Sequence, residues 1–173
     1  MTTIRLIIDG YNLIRKFPPL SRVEEADFSK GREKLLEWLS QYRQKVPNPI
    51  TVVFDGGKGG GLVEGRDIYK GIKVIYSPLG KTADDLIKGL VDREGGKSLV
   101  ITSDQELGSY CRFRKSGWIR SEEFAQRIQN KLMDRDKGEF VEEDQDPWPK
   151  KKKGTAFRIS KKAKKERKYW DNL

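Results

Sequence analysis

Acidic residues follow four hydrophobic runs of the sequence, and each run has the length and the Ile and Val content of a buried strand. The acidic residues are Asp9, Asp55, the neighbours Asp84 and Asp85, and Asp104. A carboxylate at the end of a core strand loses hydration, so it needs hydrogen bonds or a cation in compensation. These residues are therefore the first candidates for chemistry.

Most of these carboxylates also have a purely structural interpretation. Asp9 and Asp55 each precede glycine, and Asp-Gly pairs favour turns. Thr82 and Asp85 have the spacing of a capping box, and the pair of acids there suits the first turn of a helix. Asp104 could cap the helix after the fourth run. Each carboxylate, taken singly, fits a turn or a cap.

The hydrophobic runs alternate with segments of helical spacing. The runs are Ile4–Ile8, Ile50–Phe54, Ile72–Tyr76 and Leu99–Thr102, with a weaker fifth at Trp118–Arg120. Between them, apolar residues recur at intervals of three and four, as on one face of a helix. This alternation predicts an α/β fold, with an open, mainly parallel sheet and helices on both faces.

A parallel sheet would bring the acidic residues together, because ligands bind beyond the carboxyl ends of its strands. Several carboxylates in one place repel each other, and some would hold a proton unless a cation were bound. Oxygen ligands suit Mg²⁺ or Mn²⁺. Asp9 is therefore predicted to organise a metal site, where the ion offsets its desolvation.

Composition excludes several classes of protein. The 173 residues include no histidine, which removes the Ser-His-Asp triad and His-ligated zinc. The single cysteine, Cys111, allows no intramolecular disulfide and suits a reducing compartment. No apolar run reaches the roughly 20 residues of a membrane span, and no signal peptide is apparent. We expect a cytoplasmic protein with no membrane partner.

A nucleotide cofactor is not expected either. The segment Leu79–Thr82, LGKT, lies between a predicted strand and a predicted helix, as a phosphate-binding loop would. The full pattern requires a glycine five positions before Gly80, and that residue is Ile75.

Charge divides the chain into unequal parts. Residues 150–173 hold eleven Lys or Arg residues and two acidic ones, whereas residues 1–149 are nearly neutral. Residues 139–149 are acidic and contain two prolines. We predict a domain over 1–138, a linker over 139–149 and a polybasic tail over 150–173. The tail indicates binding to nucleic acid or another anionic surface, a solubilising charge run, or docking on the domain.

Three motifs together resemble a known family. They are IIDGYNLI with Asp9 and Asn12, TADDLI with Asp84 and Asp85, and ITSDQELG with Ser103 and Asp104. In order and spacing they resemble the NYN domain of the PIN-like nuclease superfamily, and more closely its YacP-like branch. The segment VVFDGG, which contains Asp55, is similar to that branch too. The resemblance covers roughly residues 4–135.

The resemblance implies a PIN-like α/β fold and metal-dependent cleavage of RNA. The metal-site carboxylates that it implies are Asp9, Asp84, Asp85 and Asp104. Asn12 would orient Asp9, a water or the scissile phosphate, and Ser103 would support the same pocket. Asp55 is a further acid that related nucleases often lack.

An endoribonuclease of this kind would use Mg²⁺ or Mn²⁺ to activate a water, which leaves 5′-phosphate and 3′-hydroxyl ends. Basic residues must offset the repulsion between acids and RNA. The candidates near the rim are Arg15, Lys16, Lys58, Arg66, Lys81 and Arg112, and those in the tail are Lys150, Lys151, Lys152 and Lys153. Any one of them could be ordinary surface. Tyr11 could stack on an unpaired base, but an ordinary core or surface tyrosine is the simpler interpretation. Structured RNA, including that of the ribosome, is a candidate target for the tail.

Two other functions remain open at this stage. The first is a non-catalytic RNA-binding module on a PIN-like scaffold, since fold does not determine activity. The second is a phosphotransfer enzyme or receiver with Asp9 or Asp55 as phospho-acceptor. A dehalogenase-like phosphatase would need an aspartate where Tyr11 stands, and a receiver would need an acid where Gly10 stands.

Overall fold

A computed structural model describes residues 3–57 and 63–133 of the chain. The strands are β1 Arg5–Asp9, β2 Ile50–Phe54, β3 Gly65–Tyr69, β4 Ile72–Tyr76, β5 Ser98–Ile101 and β6 Gly117–Ile119. The helices are α1 Gly10–Lys16, α2 Pro18–Ala26, α3 Phe28–Arg43, α4 Ala83–Glu94, α5 Gln105–Phe113 and α6 Ser121–Met133, with a 3-10 turn at Gly95–Lys97.

The six strands form one sheet in the order β3-β4-β2-β1-β5-β6. All neighbouring pairs are parallel except β3 and β4. The α/β, mainly parallel fold is therefore confirmed. Strand β3 was not predicted, because this edge strand exposes Arg66, Asp67 and Ile68 and so lacks a hydrophobic run.

Helices cover both faces of the sheet. Alternate residues of β1 point to opposite faces, so Leu6 and Ile8 pack with α1, α2, α3 and α6. Ile7 packs on the other face with Ile87 of α4 and Leu107 of α5. Strands β1, β2 and β5 are buried on both faces, which explains their continuous apolar sequences.

The connections place a crevice at the end of β1. From β1 the chain forms β2, β3 and β4 on one side of that strand, and then β5 and β6 on the other. The carboxyl ends of β1 and β5 therefore flank a topological switch point, where open α/β sheets bind ligands. Asp9 ends β1, and Thr102 to Asp104 follow β5.

Helix α1 begins directly after β1, with no intervening loop. A Cβ atom on Gly10 would lie 2.3 Å from Cε1 of Phe54, so the close approach of α1 to β2 requires glycine. The absence of a side chain at Gly10 therefore lets the start of α1 lie directly against the end of β2.

Within residues 3–57 and 63–133, the structure contains no helix that is long and apolar enough to cross a membrane. The predicted linker over 139–149 and the polybasic tail over 150–173 lie outside the described residues, as does Lys58.

The packing of two helical glycines gives a test of the fold. A Cβ atom on Gly108 of α5 would lie 2.4 Å from Cε2 of Trp118, whereas one on Gly89 of α4 would meet nothing within 4 Å. We expect Gly108→Ala to lower the free energy of unfolding by about 1–3 kcal/mol. Gly89→Ala should raise it by about 0.5–1 kcal/mol. Urea unfolding measures both, and equal effects would contradict this packing.

Candidate active site

A cleft of about 930 Å³ opens at the carboxyl ends of β1, β2 and β4. Its lining includes three of the predicted acids, Asp9, Asp55 and Asp84. Asn12, Arg15 and Lys16, also predicted site residues, line it too. The lining also contains residues that were not predicted as site residues from the sequence, among them Phe28, Arg32, Tyr76 and Thr82.

Asp9 is nearly buried, with 9% of its surface exposed. It caps α1, because its Oδ1 accepts a hydrogen bond from the backbone N–H of Asn12 at 3.3 Å. Its Oδ2 accepts one from the hydroxyl of Thr102 at 3.2 Å. Asp9 therefore both caps α1 and lines the cleft, so its structural role does not exclude a role in the site.

The Asp9 carboxyl is harder to ionise than an exposed aspartate. Burial raises its pKa to about 6, although the hydrogen bonds from Asn12 and Thr102 act in the opposite direction. The negative charges of Asp84 and Asp104 raise the pKa further. Three carboxylates from β1, α4 and the start of α5 thus share one electrostatic field, as a cation site would require.

Asp84 and Asp85 are adjacent in sequence but have different surroundings. Asp84 lines the cleft, and burial together with the charge of Asp104 raises its pKa. Asp85 is exposed, and its Oδ2 accepts hydrogen bonds from the N–H of Thr82 at 2.9 Å and from its hydroxyl at 3.0 Å. Thr82 accepts in return from the Asp85 N–H, which completes a capping box. The two bonds that the Asp85 carboxylate accepts, from the N–H and from the hydroxyl of Thr82, lower its pKa.

Asp104 caps α5, because its Oδ1 accepts from the N–H of Leu107 at 2.8 Å. Its own N–H donates to the hydroxyl oxygen of Thr102 at 3.2 Å. Thr102 therefore joins Asp9 and Asp104, the acids that follow the two strands beside the switch point. Sequence reasoning missed this role, although the buried Thr102 stands two residues before Asp104.

Asn12 holds three elements together. Its Oδ1 accepts from the N–H of Ser103 at 2.8 Å and from the hydroxyl of Ser121 at 2.7 Å. It therefore connects α1 with the loop after β5 and with the start of α6. These hydrogen bonds hold the end of β1, which carries Asp9, against the loop after β5 that leads to Asp104.

Glu122 is an acid at this rim that the sequence analysis missed. It accepts a short hydrogen bond from the hydroxyl of Ser103, and its Oε1 lies 3.5 Å from Nζ of Lys16. The residue occupies the first turn of α6, directly after β6. That position after a strand was the signal that could have located it. Lys16 therefore both lines the cleft and pairs with Glu122.

Asp55 lies at the end of β2 and is exposed. Its Oδ1 accepts from the N–H of Gly57 at 2.9 Å and from the hydroxyl of Ser77 at 3.3 Å. The residue therefore forms the turn that Asp-Gly predicts while it also lines the cleft.

The predicted cations have different positions. Arg15 and Lys16 line the cleft, and Lys81 is exposed on the loop before α4. Arg66 lines a separate depression and pairs with Glu64 at 2.7 Å. Arg112 packs over the Trp118 ring, in the last turn of α5. That turn lies about 12 Å along the helix from Asp104. The Arg112 side chain therefore begins farther from the rim than its position in the sequence indicates. Lys58 and the four tail lysines, Lys150, Lys151, Lys152 and Lys153, are outside the described residues.

The donor set fits a divalent cation on chemical grounds, because Asp9, Asp84 and Asp104 offer oxygen atoms and repel each other without one. In the described part of the chain, no group of three or more Asp, Glu or Cys side chains is close enough to hold an ion directly. Mg²⁺ usually takes one or two carboxylates, completed by waters and substrate phosphate. A site that uses fewer than three direct carboxylates is therefore compatible with this arrangement.

Replacement of Asp9 by Asn should remove a pH-dependent destabilisation in metal-free buffer. Because the pKa is raised to about 6 in the folded protein, the charged form is penalised, and the penalty develops as pH rises from about 4 to about 6. We expect the free energy of unfolding of Asp9→Asn, relative to wild type, to rise by about 2 kcal/mol over this interval. Urea unfolding in EDTA at several pH values measures it.

Asp85→Asn is the control of opposite sign. Hydrogen bonds from Thr82 lower the pKa of Asp85, so this carboxylate stabilises the folded protein above its ordinary pKa, and the stabilisation is lost as pH falls. Relative to wild type, Asp85→Asn should therefore become less stable as pH rises. The same trend in Asp9→Asn would contradict the environment described for Asp9.

Comparison with known proteins identifies the family. Residues 6–172 match the family model of the YacP-like NYN domain. The "Uncharacterized protein YacP" of Bacillus subtilis (strain 168) is 32% identical over 85 residues. That match covers 49% of this chain and 49% of the relative, so it spans about half the length of each.

Solved structures support the same fold. Two crystal structures of Rae1 (YacP) from Bacillus subtilis, one of them a mutant, superpose with TM-scores of 0.63 and 0.61 at 22% and 24% identity. They cover 77% and 76% of this chain, and 81% and 78% of the solved chains. The family-model match over residues 6–172 shows that the chain belongs to the YacP-like NYN domain family, whose place among PIN-like nucleases supports a nuclease or RNA-related role.

Proposed function

We propose that the protein is an endoribonuclease that depends on Mg²⁺ or Mn²⁺. The observation that carries the proposal is the nearly buried Asp9 carboxyl at the switch point, whose pKa is raised by burial and by the charges of Asp84 and Asp104. Clusters of titratable groups with shifted pKa values in a cleft favour a functional site over a structural one. Family membership supports the nuclease class.

In this proposal, one or two of the carboxylates of Asp9, Asp84 and Asp104 would bind the cation directly, and the remaining charge would act from nearby. A divalent ion, when bound, would offset their repulsion, acidify a water and stabilise charge on the phosphodiester. We leave Asp85 out of the ligand set because its carboxylate and its backbone N–H both bond to Thr82 in the capping box.

The protein's own residues position the acids. The hydrogen bonds of Thr102 hold the Asp9 and Asp104 segments together. Asn12 keeps α1 fixed against the loop that carries Ser103. Because these contacts join residues far apart in sequence, the acids are placed before substrate arrives, which lowers the cost of organising them during the reaction.

RNA is the proposed substrate because cations and acids line the same cleft. Arg15, Lys16 and Arg32 would offset the repulsion between the carboxylates and RNA phosphates. The tail from Lys150 would extend this contact to structured or ribosomal RNA. We expect the protein to act in the cytoplasm, where its buried thiol, Cys111, would stay reduced.

A non-catalytic RNA-binding module is the second candidate function. It is favoured by the finding that no three acidic side chains of the described residues are close enough to hold one ion. In that case the acids would cap α1, α4 and α5, and only the cations would contact RNA.

Cleavage by single-residue variants distinguishes the two functions. With Mn²⁺ and a labelled RNA, we expect Asp9→Asn, Asp84→Asn and Asp104→Asn each to lower the cleavage rate at least about 100-fold, because each removes charge that would stabilise the cation. The products should carry 5′-phosphate and 3′-hydroxyl ends. EDTA should abolish cleavage by the wild type.

Asp92→Asn is the matched control, since Asp92 lies on α4 with Asp84 but pairs with Arg114 away from the cleft. It should cleave as the wild type does. Asp85→Asn should keep cleavage at a temperature where it remains folded. Equal rates for wild type and all three acid variants would contradict the nuclease proposal and favour the binding module.

A further inference from the structure

Phe28 is an exposed aromatic residue in the wall of the cleft. Its relative exposure is 59%, and it is the first residue of α3, directly after the capping residue Asp27. Exposed aromatic rings lose the gain that burial would give them, about 25 cal/mol for each Å². An aromatic ring that stays exposed beside a candidate active site is therefore a candidate for contact with substrate.

For Tyr11 the sequence allowed either stacking on an unpaired base or an ordinary core or surface position, and in the structure its ring is packed against neighbouring side chains. The Arg15 guanidinium lies over it at 5.5 Å from the centroid, and Phe54 packs against it at 5.1 Å. Its hydroxyl accepts a hydrogen bond from Nη1 of Arg32 at 2.8 Å. Tyr11 therefore belongs to the packed wall of the cleft.

The packed Tyr11 ring positions Phe28. The two rings meet edge to face, with centroids 6.4 Å apart and an interplanar angle of 81°. Such a contact orients the Phe28 ring while it leaves more than half of the residue accessible. The ring therefore has a defined direction and an uncovered surface.

Cations surround this aromatic pair. Arg15 and Arg32 contact Tyr11 and line the cleft together with Phe28. The side chain of Arg15 is 61% exposed, and its ion pair with Glu24, at 3.6 Å, is long. An uncovered ring beside two guanidinium groups matches a ligand with a flat base and adjacent phosphates, because the ring supplies stacking and the guanidiniums supply charge.

We propose that Phe28 is a stacking subsite for one unpaired nucleobase of the RNA, next to the phosphates held by Arg15 and Arg32. This inference rests on the proposed function of the cleft and adds a residue that selects unpaired over paired segments. The base must leave a duplex to reach Phe28. Every base has a flat face, so the subsite accepts any of the four.

Binding of short RNA tests the subsite without cleavage. The probes are fluorescein-labelled single-stranded oligoribonucleotides of mixed sequence, and anisotropy is measured with the full chain in EDTA. Phe28→Ala should weaken binding by roughly 5- to 150-fold, the range for loss of one base–aromatic stack. Phe28→Trp should restore the affinity, and Phe28→Leu should not, because Leu offers apolar area without an aromatic face.

Phe113→Ala is the matched control. Phe113 is 80% exposed and ends α5, at the opposite end from Asp104. This variant should bind as the wild type does. Equal affinity of Phe28→Ala and wild type, or full affinity of Phe28→Leu, would overturn the subsite, and the latter would indicate a nonspecific apolar contact.

A set of oligomers, each with one abasic nucleotide, gives a second measurement. At one position, loss of the base should weaken binding to the wild type by a factor similar to that of Phe28→Ala, and the same loss should have no effect on that variant. Equal sensitivity of both proteins at every position would overturn the proposal.

The two proposals can fail independently. If stacking is found but Mn²⁺ supports no cleavage, the nuclease proposal is wrong and the subsite stands. If cleavage is found but binding is independent of Phe28, the subsite is wrong and the nuclease proposal stands.

Discussion

The position of the Asp9 carboxyl, almost out of water at the end of a core strand, constrains the whole site. Two hydrogen bonds lessen the cost of its charge, but burial and two nearby carboxylates still raise its pKa to about 6. The surrounding elements are arranged about this group. Gly10 lets α1 start without a loop, and Thr102 joins the ends of β1 and β5.

Asp84 and Asp85 illustrate how helix capping separates neighbouring acids. The capping box directs the Asp85 carboxylate back to Thr82, whereas Asp84 lines the cleft with Asp9. The two residues consequently have pKa shifts of opposite sign. The cleft lining is also cationic and aromatic, since it includes Arg15, Arg32 and the rings beside them. Acidic and cationic side chains in one cleft suit a cation and a polyanion together.

The parallel core and its acidic rim could be predicted from the sequence because short hydrophobic runs, each followed by an acidic residue, encode β1, β2, β4 and β5. Strand β3 escaped because an edge strand needs no apolar run. The roles of Thr102 and Glu122 depend on contacts across about 20 to 90 residues of chain, which spacing does not reveal. Arg112 lies in the last turn of α5, and the length of that helix, which closeness in sequence to Asp104 does not reveal, sets its distance from the rim.

Location of a bound cation tests the central claim most directly. Crystals of the wild type soaked in Mn²⁺ and measured near the manganese absorption edge would show the ion by its anomalous signal. The account predicts a peak in the cleft, within coordination distance of oxygen atoms from at least one of Asp9, Asp84 and Asp104. A crystal that shows no peak at these carboxylates, or one at Asp85 alone, would contradict it.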